Sequence, residues 1–104
     1  MIHQFYDFVS IEKLPKTDEK KFKVVLKNLN TNRTKTINFG SNPYEHYTEG
    51  HLDKKRQQNY IARHKKQEKW GIDGITTAGF WSYHLLWEYP TYEEALKNIM
   101  DKYF

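Results

Sequence analysis

The sequence contains no cysteine, only two methionines and three prolines, and just 23 Leu, Ile, Val and Phe residues in 104. Without cysteine there can be no disulfide framework, thiolate zinc site or thiol nucleophile. No apolar stretch approaches the roughly 20 residues that cross a membrane. Met1-Ile2-His3-Gln4 has neither the basic start nor the apolar run of a secretory leader, which points to the cell interior or to something assembled there. A Gly-rich phosphate loop, a serine-nucleophile motif and paired carboxylates are missing as well. Nothing in the residues calls for an enzyme, a cofactor or a small-molecule substrate. A chain this short buries about two-thirds of its unfolded surface, enough for one core and too little for two. Residues 1–104 therefore read as a single domain, and barrels and doubly wound dinucleotide folds are excluded on size.

Aromatic side chains fill the gap left by scarce aliphatics: 3 Trp, 8 Tyr and 6 Phe. Disordered chains are poor in such rings. Over residues 1–40 the pattern predicts a small antiparallel sheet of about three strands. Phe5 to Lys13 is rich in aromatic and β-branched residues and stops at Leu14-Pro15. Lys16 to Lys20 reads as a polar connector. Phe22, Val24 and Leu26 alternate with Lys23 and Lys27, and Ile37 and Phe39 alternate with Thr34 and Thr36. Asn28 to Asn32 supplies the turn between these two strands, and Gly40 ends the second.

Residues 41–52 form a loop, opened by the turn signals Ser41, Asn42 and Pro43. From Asp53, a plausible N-cap, helix formers run to Trp70, with Gly71 and Gly74 as terminators. Leu52, Tyr60, Ile61 and His64 would make its thin apolar stripe. Residues 76–104 read as aromatic-rich and helical. A buried helix from Ala78 to Trp87 is capped by Thr77, and Pro90 breaks it. Thr91-Tyr92-Glu93-Glu94 matches a capping box that opens the last helix. The expected fold is α+β: the sheet, then a basic helix and two C-terminal helices on one face.

The charge is uneven. Between Asp53 and Lys69 lie Lys54, Lys55, Arg56, Arg63, Lys65, Lys66 and Lys69 against Asp53 and Glu68. These seven bases and two acids leave +5 here and −1 on the remainder, for a total of +4. Such a strip could neutralise phosphates in salt-sensitive binding, or meet an acidic protein surface, or simply face solvent. Phe80, Trp81, Tyr83, Trp87, Tyr89 and Tyr92 form a ring cluster, read as core around Phe80, Leu86 and Trp87, with Tyr83, Tyr89 and Tyr92 reaching the surface. His46, His51 and His64, with Asn59, distantly resemble the hairpin-and-helix ligands of one-metal nucleases. Their spacing matches no metal signature, and the neighbouring cations would repel a metal ion, so no metal ligand is assigned.

Taken together, Lys35-Thr36-Ile37-Asn38-Phe39-Gly40, Tyr47-Thr48, Asp53-Lys54-Lys55-Arg56, Tyr60-Ile61-Ala62-Arg63-His64, Glu68, Trp70, Thr77-Ala78-Gly79, Ser82 and Leu85-Leu86-Trp87 carry a family resemblance. Residues 35 to 87 resemble an uncharacterised family of small basic proteins encoded by large DNA viruses and some tailed phages. The chain departs from that pattern at Asn38, where His is common, at Leu52, where a base is common, and at Tyr83-His84, where Arg-Trp is common. The resemblance implies a viral origin and a place in or on the particle. The expectation is a non-enzymatic structural or accessory virion protein, such as a minor capsid component touching the major capsid protein. The alternative is a nucleic-acid-binding accessory protein that uses the basic helix, and a small metal-dependent nuclease stands third. Phe39, Gly40, Tyr47, Tyr60, His64, Trp70, Gly79 and Trp87 read as structural parts of the motif, with Arg63 and His64 clamping the helix to the sheet.

Overall fold

The structure, a computed structural model, describes residues 5–42 and 44–104. Met1 to Gln4, read above for leader character, and Pro43, read as a turn signal, lie outside the described residues. Three antiparallel strands come first: β1 (Tyr6–Lys13), β2 (Lys20–Asn28) and β3 (Thr34–Ser41), in the spatial order β1-β2-β3. Period-two alternation decides which face is buried. Phe22 lies opposite Phe39, and Val24 opposite Ile37; these residues and Leu26 are all buried. A register shift between Phe8 and Ser10 marks a bulge in β1, which bends an otherwise regular edge strand. The β2–β3 turn is held by Asn28, whose side-chain oxygen accepts from the amides of Asn30 and Thr31, and Asn32 takes a left-handed φ of 61°.

Three α-helices follow: α1 (Lys54–His64), α2 (Ala78–Leu86) and α3 (Tyr92–Tyr103). Each begins on a side-chain cap that satisfies open first-turn amides: Asp53 for α1, Thr77 for α2 and Thr91 for α3. At α3 the expected capping box is completed differently. The Thr91 hydroxyl accepts from the Glu94 amide, but the accompanying carboxylate comes from Glu49, which accepts from the Tyr92 amide at 2.6 Å.

α2 lies on β3, and α3 packs on α2. Trp81 is fully buried, beside Phe8 and Phe39, and its indole N–H donates to the Ile75 carbonyl at 2.8 Å. It belongs to the core that the sequence reading centred on Phe80, Leu86 and Trp87. Phe80 and Leu86 are buried as expected, whereas Trp87 is half-buried. Phe22 stacks on Phe39 on one side and on Tyr92 on the other, joining the sheet to α3. Each such side chain removed from water contributes about 1.5–3 kcal/mol, so rings replace the missing aliphatics in energy as well as in volume. Gly40 meets two demands at once. Its φ is +76°, and a Cβ there would lie 2.8 Å from a Leu86 methyl, so α2 can approach β3 closely only at a glycine.

Three expectations need correction. The basic helix does not run from 53 to 70: it stops at His64, and Gly71 and Gly74 lie beyond its end. The chain turns away because Trp70 stacks on Tyr83 (3.9 Å between centroids) and its carbonyl accepts from His84; tertiary contact here outweighs the helix propensity of Lys65 to Lys69. Leu52 does not join the apolar stripe. It is 51% exposed with a left-handed φ of 53°, and Gln57 takes the buried place beside Tyr60. Finally, α1 is not clamped to the sheet through Arg63 and His64. Arg63 is exposed, and α1 is held to α2 by rings and by Gln57.

Candidate functional site

The attachment of α1 shapes the site. Tyr60 stacks on Trp87 at 4.3 Å and 5° and on His64 at 4.2 Å, while Trp70 lies parallel to it at 6.5 Å. Gln57 adds hydrogen bonds from its amide nitrogen to the carbonyls of Trp87 (2.8 Å) and Glu88 (3.2 Å). The wide turn Tyr47–His51 seats the start of α1: Thr48 donates to the Tyr89 carbonyl at 2.5 Å, and buried Tyr47 lies under the Lys54 ammonium, 5.3 Å from its ring centre. With its buried side turned to α2, α1 stands apart from the sheet and leaves a cleft of about 860 Å³.

The cleft lies between the start of β2, the end of β3, α1 and the first turns of α2. From α1 it takes Arg56, Asn59 and Arg63, which share one face at three- and four-residue spacing. From β2 it takes Lys20 and Lys21. Four cations thus face two carboxylates, Glu45 and Glu68. Glu68 lies 3.4 Å from His64 Nδ1, with its buried Oε1 making no hydrogen bond among the described residues, and so close to Gly79 that a Cβ there would sit 2.7 Å from its other oxygen. A carboxylate beside the N-terminus of α2 also suits that helix's dipole. Lys21 is the most constrained of the cations. Its ammonium donates to the Tyr44 carbonyl and, at 2.7 Å, to His46 Nδ1. Burial lowers the pKa of Lys21, opposed by Glu45. Burial, then the charge of Lys21, pulls His46 down to about 4, so at neutral pH its ring is uncharged and can accept that proton.

The expected basic strip is therefore divided. Arg56 and Arg63 line the cleft, whereas Lys55, Lys65 and Lys66 are exposed outside it; Lys54 covers Tyr47, and Lys69 lies 4.0 Å from Asp73. The motif residues Phe39, Gly40, Tyr60, His64, Gly79 and Trp87 all border the cleft, while Tyr47 and Trp70 hold its walls from behind. The sequence reading missed Lys20 and Lys21, assigned to a connector or not singled out, and Gln57. The three histidines do not converge: His46 takes Lys21, His51 Nδ1 accepts from the Asp53 amide at 2.9 Å, and His64 stacks on Tyr60. Among the described residues, no group of three or more His, Cys, Asp or Glu is placed to hold a metal ion, and no helix is long and apolar enough to cross a membrane.

Residues 9–64 match the model of a family of unknown function, DUF5754, and the chain belongs to that family. The matched span runs from β1 through α1 and so contains Lys20, Lys21, Arg56 and Arg63, the cationic wall of the cleft. No curated protein and no solved structure matches the chain.

Proposed function

We propose that this protein is a non-enzymatic structural or accessory component of a virus particle, seated against a neighbouring capsid protein, with the particle or the interior of the infected cell as its location. The viral part of this reading rests on the family resemblance of residues 35–87. The observation that carries the structural part is the edge of the sheet. Among the described residues β1 pairs with β2 alone; its bulge residue Val9 is 52% exposed, and Leu29, just past the end of β2, is 47% exposed. The bulge and the exposed Asp7, Glu12 and Lys13 guard this edge against indiscriminate pairing, while outward apolar side chains such as Val9 still suit a partner with a matching apolar face. A capsid neighbour adding a strand or an apolar face there would cover both the backbone edge and these side chains.

Quantitative analysis of purified particles tests the reading. The protein should copurify at a fixed ratio to the major capsid protein, and Val9→Lys, which places a charge on the edge without touching the core, should fold normally yet be excluded. Absence from particles, or normal incorporation of Val9→Lys, would overturn it.

A further inference from the structure

The distribution of arginine and lysine around α1 is not that of a uniformly solvated helix. Both arginines in the basic stretch line the cleft, while its five lysines lie outside. Guanidinium and ammonium differ in what they recognise. Guanidinium presents a planar fork that grips phosphate with two parallel hydrogen bonds, whereas lysine meets phosphate as a strongly hydrated point charge without that geometry. Across the gap, Lys20 and Lys21 come from β2, more than thirty residues away in sequence, so two independent elements bring cations to one space. At about 860 Å³ the cleft falls within the range of pockets that enclose small ligands, about 300–1,000 Å³. It is much too small to seat a folded protein partner.

The rim supplies a second kind of contact. Tyr44 is 73% exposed and borders the cleft, with its carbonyl beside the Lys21 ammonium. An exposed flat ring next to a cationic groove is the arrangement on which bases stack while their phosphates are neutralised. Asn59 on α1 and Ser82 on α2 add uncharged hydrogen-bonding groups to the lining. An acidic peptide such as poly-glutamate could use the cations, but its side chains offer no planar base to lie on the ring.

We propose that this cleft binds a nucleotide unit, with Arg56, Arg63, Lys20 and Lys21 on the phosphate and Tyr44 against the base. The unit could be a free mononucleotide or one residue of a single-stranded nucleic acid, since both present a phosphate beside a planar base. The proposal is independent of whether the protein belongs to a particle.

Fluorescence anisotropy with labelled oligo(dT), competed by AMP, inorganic phosphate and poly-glutamate, tests it at low salt. Arg56→Ala/Arg63→Ala should weaken oligo(dT) binding by about tenfold or more, and Lys65→Ala/Lys66→Ala, outside the cleft, by less than about threefold. Tyr44→Ala should weaken AMP and oligo(dT) but leave competition by inorganic phosphate unchanged. The substituted side chains are exposed, so melting curves should match the parent, and Arg56→Lys/Arg63→Lys, which keeps the charge, should still lose affinity. Competition by AMP as strong as that of the oligonucleotide, per nucleotide, identifies the free nucleotide as the ligand; a clear preference for oligo(dT) identifies the strand. Equal losses from the arginine and lysine pairs, displacement by poly-glutamate as effective as that by AMP, or no binding at low salt would each overturn the proposal.

Discussion

His46 lies at the mouth of the cleft with the Lys21 ammonium 2.7 Å from Nδ1. Burial first, then the charges of Lys21, His51 and Lys13, hold its pKa near 4, against an ordinary value of 6.5. His51 is lowered in the same direction by burial and by Arg56. An imidazole whose folded pKa is depressed is protonated first in the unfolded chain. Stability from this residue is therefore complete above about pH 6.5 and is lost as the pH falls from there towards 4. Allowing for solvent screening, the loss due to His46 is about 1–2 kcal/mol. Thermal melts between pH 7 and 4 should show a falling Tm, and His46→Gln should flatten that decline while leaving the smaller share due to His51. An identical pH profile in the variant would show that His46 is not held in its neutral form at the cleft as described.

At the scale of the elements, flat rings decide where α1 lies. Tyr60 and Trp87 overlap almost in parallel, and a pair of that kind contributes about 0.5–1.5 kcal/mol beyond the area it buries. A double-mutant cycle on Tyr60→Leu and Trp87→Leu, followed by urea unfolding, should return a coupling energy of that size; additive losses would mean that the rings pack without specific stacking. The strands and caps were legible in the sequence because their signals are local. Alternation marked Phe22, Val24 and Leu26, and Thr77 and Thr91 stood directly before apolar helical runs. The end of α1 was not legible, because Lys65 to Lys69 are good helix formers and the competing contact, Trp70 on Tyr83, is made with a residue far along the chain. The exposure of Leu52 follows from the left-handed turn before Asp53, which no periodicity announces.

For the whole molecule, the net charge of +4 conceals two arrangements: a solvated lysine surface, and a cationic cleft built from β2 and α1. Half of the cleft was visible in the sequence, since Arg56 and Arg63 sit on a helix whose charge stands out. The other half was hidden. Lys20 and Lys21 become neighbours of α1 only because Gly40 admits α2 against β3 and the ring ladder then fixes α1 beside α2. The packing residues of the resemblance motif are in large part also the lining of one space. Amide chemical-shift mapping on isotope-labelled protein titrated with AMP tests this most directly. The largest shifts should fall at Lys20, Lys21, Tyr44, Arg56 and Arg63, with Lys65, Lys66 and Lys69 nearly unmoved; shifts centred on those three lysines, or spread evenly over the basic surface, would contradict a built site.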